Sequence, residues 1–224
     1  MNQHNSFRMR IAFRKESPIK YISHLDLLRA WERALRRAEV PLAYSQGFNP
    51  HPKITIAMPL AVGCTGAREI VDVVLDEPLS GADLLASLEP VLPAGLSVVR
   101  ATEVPLQGPA LPSLISGAVY EIALSDVSAQ EVEQRVSDLM RQESAPIEFR
   151  RKRFDFRPLI DALSVREESD TVVLLASLLR DEKGRIGRPD ALLVALGLTA
   201  TVRRLHRRQI IFAEPESGSS QESG

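Results

Sequence analysis

Residues 7–39 read FRMRIAFRKESPIKYISHLDLLRAWERALRRAE, in which a strand pattern is followed by a helix pattern. Large apolar residues alternate with polar or small ones from Phe7 to Phe13, and this period of two predicts a half-buried strand. Ser23 and Asp26 form a capping box that predicts the start of a helix, which runs to about Glu39. The predicted apolar stripe of this helix is Leu25, Leu28, Trp31, Leu35 and Ala38.

Further elements follow in an order that is repeated. Strand patterns at 54–60 and 70–75, a capped helix at 80–89 and a strand at 96–104 complete a β-α-β-β-α-β series. A second series has strands at 120–124, 147–153, 171–179 and 202–212, with helices at 128–142 and 189–197. The fold class that we predict is therefore α+β, with two ferredoxin-like β-α-β-β-α-β lobes, each with an antiparallel sheet.

The domain boundaries follow from the turn-forming residues. The first lobe spans 7–104, and residues 105–117, which are rich in proline and glycine, are the best linker candidate. The second lobe spans 118–213. The tail at 214–224 consists mainly of Ser, Gly and Glu, a composition that predicts disorder.

Composition restricts the possible functions. The chain has 224 residues, of which 44% are hydrophobic and 25% charged, as in globular proteins. The sequence has neither an apolar run long enough for a membrane helix nor a signal-peptide pattern, so we expect a cytoplasmic protein without membrane contact. The single cysteine, Cys64, excludes an internal disulfide and an iron–sulfur cluster held by this chain alone.

Charge is strongly segregated along the chain, although the net charge is only −1. Residues 8–53 carry 10 basic and 4 acidic groups, whereas residues 54–149 carry 4 basic and 14 acidic groups. Residues 150–157 and 203–212 are again basic. If the basic blocks meet in space, they form a face that attracts a polyanion; if they do not, they are separate solvated faces.

The segment Tyr44 to Lys53 combines aromatic, amide and imidazole side chains with prolines and Gly47. A rigid loop of this kind suits stacking on bases or gripping a small ligand. The alternative is that Tyr44 and Phe48 fill the core. His24 lies at a predicted helix start, which favours anions, so we add it and the arginines of the same helix to the candidates. The substrate-binding candidates are His24, Arg29, Arg33, Tyr44, Gln46, Phe48, Asn49, His51 and Lys53.

Two arginine clusters are candidates for phosphate binding, because guanidinium groups bind phosphate in a bidentate manner. On a strand, alternate residues share a face, so Arg204, His206 and Arg208 point one way and Arg207 the other. The alternative is that these arginines lie on an exposed sheet edge, where their charge prevents aggregation. The phosphate-binding candidates are Arg151, Lys152, Arg153, Arg157, Arg188, Arg204, His206, Arg207 and Arg208.

Motifs of known catalytic chemistry are missing. Residues 184–190 lack the ending of a P-loop and are interpreted as a turn that leads into a helix. No nucleophile elbow or zinc-protease motif occurs, no standard metal-ligand spacing is found, and Cys64 is interpreted as structural. The catalytic residues are thus unknown. The one acid–base pair that the sequence offers is His24 with His51, which requires that both rings line one pocket.

Two motifs carry a family resemblance: the run from Lys20 to Ala38 and the segment from Tyr44 to Pro52. They resemble the radical SAM-linked protein family, which is also catalogued as a domain of unknown function. The resemblance covers most of 8–212, is strongest at 20–63, and extends weakly to 155–158, 188–190 and 206–207.

The resemblance implies a partner. Members of that family occur beside, or fused to, a radical SAM protein with a cobalamin-type domain. That partner would carry the iron–sulfur cluster, S-adenosylmethionine and, in its cobalamin-type domain, cobalamin, while this chain binds no cofactor of its own. The resemblance gives no catalytic residue.

Three hypotheses follow. In the first, the chain is a non-catalytic accessory that binds or presents a substrate, an RNA such as tRNA, to a radical SAM enzyme. In the second, it is a protein–protein adaptor for that enzyme without RNA affinity. In the third, it is an enzyme that uses His24 and His51.

Overall fold

The computed structural model describes residues 6–198 and 201–213. The predicted tail at 214–224 lies outside them. The first half of the chain contains β1 (Phe7–Lys15), α1 (His24–Arg37), β2 (Ile54–Ile56), β3 (Cys64–Leu75), α2 (Gly81–Leu88) and β4 (Leu96–Val104). The second contains β5 (Ile115–Ser125), α3 (Ala129–Arg141), β6 (Pro146–Phe149), β7 (Lys152–Asp155), β8 (Ile160–Glu168), β9 (Thr171–Leu179), α4 (Pro189–Ala195) and β10 (Thr201–Phe212).

One mixed sheet runs through both halves. Its eight strands are ordered β4-β1-β3-β10-β5-β9-β8, with β2 also paired to β3, and β6 and β7 form a separate hairpin. All of these pairs are antiparallel except that of β3 with β10, where Cys64–Gly66 runs parallel to Leu205–Arg207. The α+β class is confirmed, but the prediction of two lobes with a sheet each is corrected, because β10 joins them. We call this junction the seam.

The N-terminal core lies between the sheet and the two helices of the first half. The Ser23 side chain caps α1 by accepting from the backbone N–H of Asp26 at 3.2 Å. Trp31 is fully buried and meets Phe13 edge to face, with ring centroids 5.0 Å apart. The buried side of α1 is rotated from the predicted stripe, because Leu27 is buried while Leu25 is 54% exposed. Leu25 lies in the first turn of the helix.

The C-terminal core contains apolar residues of β5, β9 and α4 together with Phe156. A single strand was expected at 147–153, but that segment forms the β6–β7 hairpin. The strand that pairs with β9 is β8. β8 is an edge strand of the sheet and polar residues occupy most of it, so apolar alternation does not predict it. In the described residues, no helix is long and apolar enough to cross a membrane.

Candidate functional site

The seam is held by a buried ion pair. Arg207 is 0% exposed; its Nε donates to Glu69 Oε1 at 2.9 Å and its Nη2 donates to Glu69 Oε2. Nη2 also donates to the carbonyl oxygen of Met58 at 2.8 Å. Burial acts to lower the pKa of Arg207, but the charge and hydrogen bonds of Glu69 outweigh it and raise that pKa. The pair therefore fixes β10 to β3 and also holds the chain after β2.

Lys15 ties two loops to this junction. The Lys15 side chain is buried, and its Nζ donates to the carbonyl oxygens of Lys20 at 2.9 Å and Cys64 at 3.2 Å. The Lys20 carbonyl also accepts from the backbone N–H of Gly63. These bonds hold Tyr21, whose side chain is 72% exposed, beside the chain that enters β3. Burial lowers the pKa of Lys15.

A cavity of about 460 Å³ opens at the seam. The first half contributes Cys64 and the preceding loop to its lining, and the second half contributes Tyr120, Arg150, Arg188 and Asp190. Burial raises the pKa of the Cys64 thiol to about 11, so the thiol is protonated at neutral pH and is a poor nucleophile. Burial also raises the pKa of Tyr120.

The wall of this cavity has an excess of positive charge. Asp190 accepts from Arg150 Nη2 at 3.1 Å, and its other oxygen accepts from Arg188 Nε, also at 3.1 Å. Two guanidinium groups therefore share one carboxylate. Both arginines are exposed, so a phosphate group can approach the N–H groups that the carboxylate leaves free.

Two more cavities adjoin the first. One, of about 260 Å³, shares Arg150 and Arg188 with the seam cavity. The other, of about 710 Å³, shares Phe154 and Arg185 with the second cavity. We call the three together the basic groove. The cationic side chains that line it are Arg150, Lys152, Arg153, Arg180, Lys183, Arg185 and Arg188.

The tip of the β6–β7 hairpin has an unusual backbone. Arg150 and Arg151 have φ values of 51° and 64°. A two-residue turn with both φ values positive normally contains Asn and Gly, because other side chains are strained there. Arg150 lies over the Phe149 ring, 5.1 Å from its centroid. In the described part of the chain, the exposed side chains of Arg151 and Lys152 have no hydrogen-bond or ion-pair partner.

The structure divides the other phosphate-binding candidates by environment. Arg153 is exposed and pairs with Glu148 at 2.9 Å, whereas Arg157 donates to the backbone carbonyls of Gln142 and Ile160. Arg157 thus holds the chain between α3 and β8. Arg188 lies in the basic groove, as described above.

The candidates on β10 face two sides, as the alternation predicts. Arg204 and Arg208 both reach Glu121, at 2.7 and 3.9 Å, on one side of the sheet. His206 Nδ1 lies 2.7 Å from Thr65 Oγ1, across the seam, and burial lowers its pKa. The prediction that Arg207 binds phosphate is corrected, because its guanidinium is fully buried against Glu69 and is not accessible to a phosphate.

The segment from Tyr44 to Lys53 is an exposed loop between α1 and β2. Its base is closed by the backbone N–H of Ser45, which donates to the carbonyl oxygen of His51 at 2.8 Å. The alternative that Phe48 fills the core is wrong, because Phe48 is fully exposed. Tyr44 is 38% exposed. The remaining candidates of this loop, all exposed, are Gln46, Asn49, His51 and Lys53.

The candidates on α1 lie apart from the basic groove. Arg29 pairs with Asp26 at 3.4 Å, and Arg33 lines a cavity of about 330 Å³ against residues 90–93. This cavity shares no residue with the basic groove. His24 is partly buried and His51 is exposed, and neither ring lines any of these cavities. The arrangement therefore gives no support to a joint acid–base role for the two histidines.

Several residues of the groove are absent from the candidates that the sequence suggests. Arg180, Lys183 and Arg185 surround the turn after β9, and the Arg185 guanidinium lies 4.8 Å from the Phe154 centroid. The sequence pattern of residues 184–190 indicates only a turn before a helix. The missed signal is the number of basic residues in the turn after β9. In space this turn lies beside the basic residues of the β6–β7 hairpin. Among the described residues, no group of His, Cys, Asp and Glu is arranged to hold a metal ion.

A bacterial family described as an uncharacterized protein conserved in bacteria (DUF2344) matches residues 8–189. The chain belongs to the DUF2344 family. The match includes both motifs that carry the resemblance and most of the basic groove, and it ends at the first residue of α4. No curated protein matches the chain. The family assignment therefore confirms a bacterial domain of unknown function and leaves the radical SAM linkage as a proposal.

Proposed function

We propose that this DUF2344 protein binds a structured RNA, such as a tRNA, through the basic groove, and presents it to a partner radical SAM enzyme. The observation that carries the proposal is the groove itself. In it, cationic side chains from separate parts of the second half lie next to phenylalanines of the β6–β7 hairpin and of the chain after it, and one of its cavities opens at the seam with the first half. No catalytic step is assigned to this chain.

The chemistry of the groove favours a polyanion with bases over a simple anion. Arginine binds phosphate with two parallel hydrogen bonds, and Lys152 adds a mobile charge. Carboxylates already accept from several of the arginines, including Arg153 and Arg185. Phosphates along a nucleic acid backbone can compete with Glu148 for Arg153, because an exposed pair of this kind contributes little stability in water. The phenylalanines offer surfaces for stacking of bases.

The partner and the fold relationship complete the proposal. We infer that each half is a ferredoxin-like repeat. When the β6–β7 hairpin is left out, the spatial order of the strands is β4-β1-β3-β2 in the first half and β10-β5-β9-β8 in the second. In both halves this is the order fourth, first, third, second along the chain. The partner is a radical SAM protein that supplies the iron–sulfur cluster, S-adenosylmethionine and cobalamin. This inference is supported by the motifs at 20–38 and 44–52 that resemble the radical SAM-linked family.

The test is the salt dependence of binding to unfractionated bacterial tRNA. We expect an affinity that falls steeply between low and physiological salt. The double variant Arg151→Ala/Lys152→Ala should bind more weakly, and its log–log salt slope should be smaller by about one unit for each phosphate that it no longer binds. The matched control is Arg100→Ala, an exposed arginine on the opposite edge strand, β4. Salt-independent binding, or equal effects of both variants, would contradict the proposal.

A second function, as an adaptor without RNA affinity, is favoured by one observation. The cavity lined by Arg33 and the basic groove have no residue in common, so the basic blocks do not all merge into one face. In this case the acidic region at 54–149 would contact the enzyme. Purification of the protein from a bacterial cytoplasm, with RNA and protein identified in the same sample, separates the two functions. Recovery of a radical SAM protein without RNA would favour the adaptor.

A further inference from the structure

The smallest cavity of the basic groove differs from its neighbours in chemistry. Its volume is about 260 Å³, which is below the roughly 300–1,000 Å³ of sites for drug-sized ligands. Its floor is apolar and its rim is cationic. The apolar lining comes from Phe149, Phe154, Phe156, Leu159, Ile186 and Ala191, and the cationic lining from Arg150, Lys152, Arg185 and Arg188.

The aromatic rings of this cavity are held in fixed positions. Phe156 is fully buried, and the Phe154 ring lies 6.3 Å from it with a tilt of 50°. Arg185 packs on Phe154, and the backbone N–H and Nε of Arg185 both donate to Asp181 at 2.8 Å. The cavity therefore exists before a ligand arrives, which lowers the entropy cost of binding.

We propose that this cavity binds one unstacked nucleobase, while the arginines and Lys152 on its rim bind the flanking phosphates. The proposal rests on the proposed function and specifies its substrate class: an RNA loop, bulge or single-stranded end rather than a continuous duplex. A cavity of this size and apolar character fits a single flat ring system. The bases of an A-form duplex stay stacked inside the helix and are not available to such a cavity.

The position of the cavity supports the same conclusion. It lies between the seam cavity and the largest cavity, and it shares basic residues with both. An RNA strand that crosses the groove has phosphate-binding side chains on each side of the cavity. Stacking on an aromatic face is tolerant of sequence, so we expect a preference for unpaired RNA and little preference for a particular base.

The test uses two RNAs of equal length, each with one 2-aminopurine: a hairpin with the probe in its loop, and a fully paired duplex with the probe inside. We expect the hairpin to bind at least tenfold more tightly and its 2-aminopurine fluorescence to be quenched by stacking. Phe154→Leu, which keeps an apolar floor, should weaken hairpin binding about tenfold and remove the quenching without changing the salt slope. The matched control is Phe212→Leu, which disturbs another arginine–aromatic contact, that of Arg10.

Each result decides between the two proposals. Equal binding of hairpin and duplex, or unchanged quenching in Phe154→Leu, overturns the base-binding site but leaves RNA binding in place. Absence of binding to both RNAs overturns the proposed function and the base-binding site together. Phe149→Leu is the second variant, used if circular dichroism shows that Phe154→Leu is not folded, and the same expectation and contradiction apply to it.

Discussion

Two arginine environments occur within five residues of β10. Arg207 is fully buried and meets Glu69, which is 1% exposed, while Arg204 and Arg208 are half-exposed and share Glu121. The first pair has no access to water, so loss of one partner leaves an uncompensated buried charge. In the second group the two arginines are open to water, although Glu121 is only 13% exposed, and this exposure weakens the ion pairs. One cluster of arginines in the sequence thus contains a structural side chain and its surface neighbours.

The largest effect that tests this comparison is expected from Glu69→Ala. The variant leaves Arg207 buried without a carboxylate, and we expect a loss of about 3–5 kcal/mol in the free energy of unfolding. Urea denaturation followed by circular dichroism measures it. The double variant Glu69→Leu/Arg207→Met should recover part of the loss, because apolar residues of similar volume tolerate burial. A loss below that of an exposed pair would contradict the assignment of Arg207 as buried and structural.

A smaller effect is expected from the pH dependence of Cys64. Its pKa rises from an ordinary value of 9.0 to about 11 on folding. The folded state therefore keeps a proton that the unfolded state releases, so the stabilising contribution is complete below pH 9 and is lost as pH rises to 11. We expect stability to fall by about 2 kcal/mol more in the wild type than in Cys64→Ala over this range.

The use of Cys64→Ala as the reference has a reason. Burial also shifts the pKa values of Lys15 and Tyr120, and the charge of Cys64 contributes to the pKa of each, so their titration is coupled to that of the thiol. The difference between the two stability curves thus reports the thiol together with its coupling to Lys15 and Tyr120. Parallel curves between pH 8 and pH 11 would show that Cys64 is not buried at the seam.

At the hairpin tip, function and stability should change in opposite directions. Replacing Arg150 with Asn and Arg151 with Gly relieves two positive-φ conformations, and we expect the protein to become about 1 kcal/mol more stable. The same double variant should bind tRNA more weakly, because two cations are removed. Thermal denaturation and filter binding measure the two effects. Arg151→Ala removes charge without relieving the strain, so it should weaken binding without the gain in stability.

The smallest effect is expected from Arg204→Ala on the exposed side of β10. We expect a loss of no more than about 1 kcal/mol, which high salt should abolish. Urea denaturation at low and high ionic strength measures it. A loss as large as that of Glu69→Ala would remove the contrast between the two arginine environments.

Local pattern predicted much of the fold. The alternation in β1, the cap at Ser23 and the segregation of alternate residues on β10 all depend on neighbours in sequence, and the structure agrees with them. The pairing of Glu69 with Arg207 was not predictable in this way, because 138 positions separate the two residues. Nothing in the sequence near either residue shows that β3 and β10 meet.

The candidate site was predicted in part for the same reason. The cluster at 150–153 was identified from composition, and Arg150, Lys152 and Arg153 line the groove, while Arg151 lines none of its cavities. Arg180, Lys183 and Arg185 were missed, since their role depends on how the turn after β9 lies against the hairpin. The loop with Phe48 was identified from its composition and is exposed, but it lines none of the groove cavities, and its binding role stays a prediction.

The parallel pairing of β3 with β10 has a consequence for the order of folding. The ribosome makes β3 well before β10, so the edge of β3 at Cys64–Gly66 emerges without its partner. Closing a loop of this length costs more entropy than forming a local hairpin. We expect each half to gain structure early and the seam to close last, with Glu69 accessible to water until Arg207 arrives.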